Sequence, residues 1–151
     1  MNRRDVIKGF ILAATMVGSR NTYAGEYEKH DKINKKNLLK LKDRDNPSVL
    51  EQKHVPAIIP PDRVAAGEWF NIQVKVGFMK EHPSTPGHWI TKIKLLVDGR
   101  DIAQTEFEVG GISASAATFR IRLDKSSKVE AIEHCNLHGT WISDPLKIKV
   151  T

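Results

Sequence analysis

The sequence predicts an antiparallel β-sandwich, and three observations support that prediction. Segments 70–76 and 90–95 alternate apolar and polar residues, which is the period-2 pattern of half-buried strands. Turn-forming residues separate such segments at short intervals, and no stretch has a convincing helical period. The length of 151 residues and the apolar fraction of 40% suit one hydrophobic core. Six or seven short strands around one core are typical of a two-sheet sandwich.

The predicted strands follow one another from residue 49 onward. After the strand at 70–76, the segment 90–97 alternates with one phase break. A hairpin turn at 98–101, which contains an Asp-Gly pair, joins it to a strand that begins at Ile102. Glycine- and serine-containing breaks then separate three further predicted strands, at 118–123, 129–134 and 146–150.

Residues 1–24 have the order of an export signal. Arg3 and Arg4 precede a short apolar stretch at 9–18, and small residues lead to a cleavage site after Ala24. The arginine pair, followed by two apolar residues and a lysine, resembles a twin-arginine signal, which is an address read by a receptor. An apolar run of about ten residues is shorter than the ~20 needed to span a bilayer. We therefore expect export to the periplasm or beyond, without stable membrane insertion.

Residues 25–48 contain seven basic and five acidic residues with few large apolar ones. This composition predicts a polar linker or a loosely docked segment before the sandwich domain of residues 49–151. The formal net charge of +6 falls to +3 when residues 1–24 are removed. A charge that small, without a basic run interleaved with aromatic residues, argues against a nucleic-acid partner.

Four histidines and one cysteine form a candidate set of metal ligands. Two of the histidines share a proline- and glycine-containing loop, and the cysteine and another histidine form a Cys-x-x-His pair that ends at a glycine. Five nitrogen and sulfur donors exceed the four of a closed zinc site and leave a sixth octahedral position for a substrate. The pattern therefore predicts one redox-active iron ion per chain. The candidate ligands are His54, His82, His88, Cys135 and His138.

The single cysteine limits the chemistry of the chain. It excludes an internal disulfide, a rubredoxin-type centre and an iron–sulfur cluster within this chain, so electrons must come from an external donor. Two alternatives have no enzymatic activity. A copper electron-transfer site uses two histidines and usually an axial methionine, but Met79 precedes His82 and no methionine follows Cys135. A metal-binding or carrier protein would need an exposed, free thiol.

Four segments together resemble the superoxide reductases, the desulfoferrodoxin and neelaredoxin family. They are KHVPAI at 53–58, HPSTPGHWI at 82–90, LVDGRDI at 96–102 and HCNLHGTW at 134–141. The resemblance covers about residues 49–151, in order and at the family's spacing. Since no cysteine-rich module precedes it, the chain is most similar to the one-iron neelaredoxin type.

The resemblance implies an immunoglobulin-like β-sandwich that reduces superoxide to hydrogen peroxide with one electron. It implies that Lys53 attracts the superoxide anion and that Cys135 is the axial ligand of the iron. It also implies a homo-oligomer and an external donor such as a rubredoxin-like protein or a cytochrome. The implied equatorial ligands are His54, His82, His88 and His138. His30 and His134 fall outside this pattern.

The chain departs from the family just before Lys53. Family members usually carry a glutamate there, and its carboxylate caps the ferric ion after turnover, whereas this chain has Gln52. In an extended backbone the neighbouring Glu51 would point to the opposite side. We therefore expect no carboxylate cap from position 52.

Overall fold

The computed structural model describes residues 27–151, and the predicted export signal lies outside them. A short helix, α1 (Val49–His54), precedes eight strands. The strands are β1 (Ala57–Ile59), β2 (Trp69–Lys75), β3 (Ile90–Val97), β4 (Arg100–Glu106), β5 (Ala116–Arg122), β6 (Ser127–Cys135), β7 (Gly139–Ile142) and β8 (Leu146–Ile148). In this part of the chain no helix has the length and apolar character needed to cross a membrane.

The strands form two antiparallel sheets. The smaller sheet has the order β1-β2-β5, and the larger has the order β4-β3-β6-β7, with β8 also paired to β6. Alternate residues of facing strands point between the sheets and form one buried apolar core, as packed sheets require. Its members include Ile72, Val74, Ile93, Leu95, Phe119 and Val129. The predicted antiparallel β-sandwich is confirmed.

Two local predictions in β3 have clear structural counterparts. The β3–β4 hairpin turns at Asp98 and Gly99, whose φ angles of 49° and 82° are the left-handed pair that a two-residue hairpin requires. The phase break in the sequence corresponds to a register shift between Ile90 and Lys92 against β6. The extra residue, Thr91, forms a β-bulge that restores the inward direction of the following side chains.

The expectation that residues 49–54 are extended is wrong, because they form α1. Ser48 begins this helix with a capping box: its hydroxyl accepts from the Glu51 N–H, and the Glu51 carboxylate accepts from the Ser48 N–H. A helix of six residues is too short to show a helical period in the sequence. The three-residue β1 and the four-residue β7 were missed for the same reason.

Part of the predicted linker packs against the larger sheet. Ile33 and Leu38 contact a small apolar cluster on its outer face, which consists of Leu96, Ile132 and Ile142. The Leu39 N–H donates to the Thr140 carbonyl at 2.9 Å, and the Leu39 carbonyl accepts from the Ile142 N–H at 2.8 Å. This segment is therefore docked beside β7.

Candidate metal centre

The five predicted ligands meet at one end of the sandwich, and different elements supply them. His54 is the last residue of α1, and Cys135 is the last residue of β6. His82 and His88 lie in the loop that leads into β3, while His138 immediately precedes β7. The site therefore depends on the packing of the helix, the loop and the larger sheet.

The donor atoms of four of these residues lie within 4.8 Å of one another: His54, His82, His88 and Cys135. His138 adjoins this group through its Nδ1 atom. That atom lies 3.6 Å from the Cys135 Sγ and 3.1 Å from the His54 Nε2. The structure thus brings all five predicted ligands together.

The four imidazole rings form a square. Taken around the site, the centroid distances are 4.7 Å from His54 to His82, 4.7 Å from His82 to His88, 4.8 Å from His88 to His138 and 4.8 Å from His138 to His54. The distance across the square, from His54 to His88, is 6.3 Å. Four nearly equal sides and a longer diagonal arrange the rings around one centre, where a single ion would be within reach of all four.

The five predicted ligands differ in their exposure to solvent. Cys135 and His54 have no exposed surface and His82 has little, whereas His88 and His138 are half-buried. Solvent and small solutes therefore reach the site from the side of the square on which His88 and His138 lie.

Several ring nitrogens are free to bind a metal ion. The Nδ1–H of His54 donates to the Leu50 carbonyl at 2.7 Å, which leaves the Nε2 lone pair for the site, because a carbonyl only accepts. Both ring nitrogens of His82 and the Nε2 of His88 are buried without a hydrogen-bond partner. Buried polar atoms are rarely left unpaired, so these nitrogens need a partner. Imidazole nitrogens with one cysteine sulfur fit a transition-metal ion.

The protonation states also suit metal binding. Burial, assisted by the charge of His54, lowers the pKa of His82 to about 4. Burial also lowers the pKa of His54 and His88, so these rings are neutral at pH 7, as ligands must be. Burial raises the pKa of the Cys135 thiol, whereas the backbone N–H groups of Leu137 and His138 lower it. These two N–H groups stabilise the thiolate that a metal ion would bind.

Trp141 supports two of the ligands, a role that was not predicted from the sequence. Its buried indole stacks on the His54 ring with a centroid distance of 5.3 Å and an interplanar angle of 23°. Its Nε1–H donates to the His138 carbonyl at 3.1 Å. An aromatic residue three positions after a Cys-x-x-His pair was the only sequence signal for this contact.

Gly77 permits the turn that presents His82. Its φ angle is 77°, and a Cβ atom built on it would lie 2.3 Å from the His82 backbone nitrogen. A side chain at position 77 would therefore displace the backbone of a predicted ligand.

Lys53 lies within electrostatic reach of the square. Its side chain is half-buried, and its charge lowers the pKa of both His54 and His88. A fixed positive charge there raises the local concentration of an anion.

No carboxylate from position 51 or 52 lies beside the predicted ligands. The Gln52 amide donates to the Pro47 carbonyl at 2.8 Å. The Glu51 carboxylate accepts from the backbone N–H groups of Ser48 and Lys42, at 2.8 Å and 2.9 Å. Glu51 therefore caps α1, and its side chain is engaged away from the four histidines.

The two histidines expected to lie outside the site do so. The His134 Nδ1 lies 2.8 Å from the Thr140 hydroxyl, and adjacent residues of a strand point to opposite faces, so His134 is directed away from Cys135. The His30 carbonyl accepts from the Arg100 Nε–H.

Glu133 is a buried acid two residues before Cys135, and its burial was not predicted from the sequence. It has no exposed surface, and neither carboxylate oxygen has a hydrogen-bond partner. Burial raises its pKa to about 9, so the side chain is neutral at pH 7. The signal in the sequence was an acidic residue on the same face of β6 as the apolar residues Val129 and Ala131.

This burial makes a prediction about pH and stability. The Glu133 carboxyl keeps its proton in the folded protein up to about pH 9, whereas the unfolded chain releases it near 4.5. The free energy of unfolding should therefore fall, through this group, as the pH rises between these values. Glu133→Gln removes this titration. Relative to the wild type, the free energy of unfolding of the variant should therefore increase between pH 5 and pH 8, as measured by urea unfolding of the metal-free proteins.

The matched control is Glu68→Gln, which makes the same change at an exposed position. It should leave the pH dependence of the wild type unchanged. The same pH dependence in Glu133→Gln and wild type would show that Glu133 is ionised in the folded protein.

Comparison with known proteins gives consistent results. The family model described as Desulfoferrodoxin matches residues 46–144. The superoxide reductase of Thermococcus kodakarensis is 32% identical over 98 residues, which cover 60% of this chain and 83% of the relative. The desulfoferrodoxin of Nitratidesulfovibrio vulgaris is 37% identical over 103 residues, which cover 68% of this chain and 71% of the relative.

Among solved structures, the superoxide reductase (neelaredoxin) from Ignicoccus hospitalis is 30% identical. It superposes with a TM-score of 0.62 and covers 76% of this chain and 95% of its own. The two antiparallel sheets and this similarity confirm the predicted immunoglobulin-like sandwich.

Proposed function

Because the chain belongs to the desulfoferrodoxin family, we propose that it is a superoxide reductase, which reduces superoxide to hydrogen peroxide with one electron and two protons. The observation that carries this proposal is the square of four imidazoles beside the buried Cys135 thiol. The square is accessible on one side, where a small anion can enter.

We assign one iron ion to this site. The neutral imidazoles of His54, His82, His88 and His138 and the Cys135 thiolate would hold it, and their donor set fits iron. When bound, iron supplies one electron by changing between its ferrous and ferric states.

The residues of the chain control access and charge. The half-buried rings of His88 and His138 leave a path from solvent, and Lys53 attracts the superoxide anion toward it. The Leu137 and His138 N–H groups oppose the effect of burial on the pKa of Cys135, and so favour the thiolate that the ion would bind. Together these groups admit an anion while keeping the thiolate away from bulk water.

Two features argue against the alternative of a non-enzymatic protein. A carrier would need a reactive thiol at the surface, but Cys135 has no exposed area. A copper electron-transfer site uses two histidines and usually an axial methionine, but four histidines meet here and Met79 is 45% exposed. The family membership and the four histidines favour the enzyme.

The electrons come from an external donor in this proposal, since the only cysteine belongs to the iron site. A rubredoxin-like protein or a cytochrome has the required one-electron chemistry. We further propose that the chain is exported by the twin-arginine route, assembles as a homo-oligomer and acts in the periplasm.

Cys135→Ser tests the assignment of the thiolate. The sandwich core does not depend on one sulfur atom, so the variant should fold, but it should lose the thiolate-to-ferric charge-transfer band and most of its activity. Stopped-flow spectroscopy measures both, with one hydrogen peroxide expected per superoxide consumed by the wild type. Reduction of superoxide at the wild-type rate by Cys135→Ser would refute the proposal.

Lys53→Met tests electrostatic attraction of the substrate. The second-order rate constant should fall by about two- to tenfold at low salt, and its dependence on ionic strength should flatten, because charges are screened over about 8–10 Å in ordinary salt. Lys128→Met is the control, since Lys128 lies seven residues before Cys135 on β6, roughly 23 Å away. If Lys53→Met has the salt dependence of the wild type, the lysine does not act on the anion.

Gln52→Glu tests the missing carboxylate cap. A glutamate cannot donate to the Pro47 carbonyl, so its carboxylate is released from the bond that Gln52 makes. It should compete with added anions at the ferric site and weaken azide binding by roughly three- to tenfold. Gln73→Glu, at an exposed position of β2, is the control. Equal azide affinities for Gln52→Glu and wild type would show that position 52 does not reach the iron.

Arg3→Lys with Arg4→Lys tests export. The twin-arginine receptor distinguishes arginine from lysine, so the double variant should remain in the cytoplasm as the uncleaved precursor. Cell fractionation and immunoblotting measure this. Normal periplasmic accumulation would favour the general secretory route.

A further inference from the structure

Asn136 joins the two loops that supply three of the five ligands. Its side-chain Nδ2–H donates to the Gly87 carbonyl at 2.9 Å, and its Oδ1 accepts from the Trp89 N–H at 3.0 Å. Its own backbone N–H donates to the Trp89 carbonyl at 3.2 Å. One carboxamide therefore bonds the residues immediately before and after His88, and it belongs to the residue immediately after Cys135.

We propose that Asn136 is a positioning residue that fixes the His88 imidazole relative to the Cys135 thiolate. The proposal rests on the metal site proposed above. It adds a residue that acts through the loop backbone and sets the distance between the His88 ring and the Cys135 sulfur.

The His88 ring has fewer restraints of its own than the His54 ring. His54 is held by its hydrogen bond to Leu50 and by the stacked Trp141 ring, whereas the buried Nε2 of His88 has no hydrogen-bond partner. His88 is also only half-buried, so packing restrains its ring less. Its position must therefore be fixed through the backbone on either side.

Apart from the pairing of Ile90 with Cys135 between β3 and β6, the other hydrogen bonds of the loop lead away from the cysteine. The Thr85 N–H donates to the His88 carbonyl at 2.9 Å, and the His88 N–H donates to the Thr85 carbonyl and to the Thr85 hydroxyl, each at 3.1 Å. The Trp89 indole donates to the Phe107 carbonyl at 2.9 Å, which holds the far side of the loop at the end of β4. In the described chain, the contacts of Asn136 are the hydrogen bonds that connect the residues flanking His88 to the Cys135 loop.

The carboxamide is suited to this position because it carries a donor and an acceptor. An aspartate would keep the bond from the Trp89 N–H but would place a carboxylate against the Gly87 carbonyl. A leucine has a similar shape and would lose both side-chain bonds. The backbone bond from position 136 would remain in either variant, so the fold of the loop is retained.

The experiment measures metal affinity in the full chain, with Zn²⁺ as the probe and a chelator as competitor. Asn136→Leu should weaken zinc binding by roughly 10- to 100-fold, the usual cost of losing a group that orients a ligand. Asn136→Asp should fall between Asn136→Leu and the wild type. Asn71→Asp, at an exposed position of β2, is the control and should match the wild type. Thermal unfolding of each metal-free protein checks that the variants are folded.

A double-mutant cycle with His88→Ala decides whether Asn136 acts through His88. In the His88→Ala background, Asn136→Leu should change zinc affinity by less than about twofold. Wild-type affinity in Asn136→Leu, or an equal loss in both backgrounds, would overturn the proposal. Because the readout is zinc affinity, the result does not depend on whether the iron-loaded protein reduces superoxide.

Discussion

The structure is organised around buried histidine nitrogens that lack partners within the protein and the enclosed cysteine sulfur beside them. His82 has two such nitrogens and His88 has one, and Cys135 is completely enclosed. Leaving buried polar atoms unpaired costs about 1–3 kcal/mol each in ordinary proteins. A single metal ion among the four rings would bind one nitrogen of each ring and the Cys135 sulfur, and so would satisfy most of these atoms together. The free energy of metal binding would thus offset the cost of burying these polar atoms without protein partners.

The fold holds this arrangement by connecting the elements that supply it. The docked segment bonds β7 through Leu39, and three residues later the Lys42 N–H donates to the Glu51 carboxylate of α1. It therefore links the strand after His138 to the helix that ends at His54. Trp141 makes a second connection between the same two ligands, by stacking on one and bonding the carbonyl of the other. The ligands are therefore held by contacts between segments distant in sequence.

Much of the fold and the ligand set could be predicted from the sequence, because both leave local signals. The alternation in residues 70–76 predicted β2, the Asp-Gly pair predicted the hairpin, and the phase break after Ile90 marked the bulge that the structure contains. The Cys-x-x-His pair and the two-histidine loop indicated which side chains could converge.

The features that escaped prediction depend on tertiary contacts or on very short elements. Helix α1 has six residues, and its cap uses a carboxylate that also bonds Lys42 from outside the helix. The roles of Trp141 and Asn136 exist only because distant backbone groups come within hydrogen-bonding distance. The raised pKa of Glu133 depends on its burial in the assembled core.

X-ray absorption spectroscopy of the iron-loaded protein tests the central claim most directly, because it counts the atoms bound to the metal. For the reduced protein, we expect one sulfur and four imidazole nitrogens around iron, and loss of the sulfur contribution in Cys135→Ser. A first coordination shell without sulfur, or one with only two or three imidazoles, would contradict the assignment of the square and its thiolate.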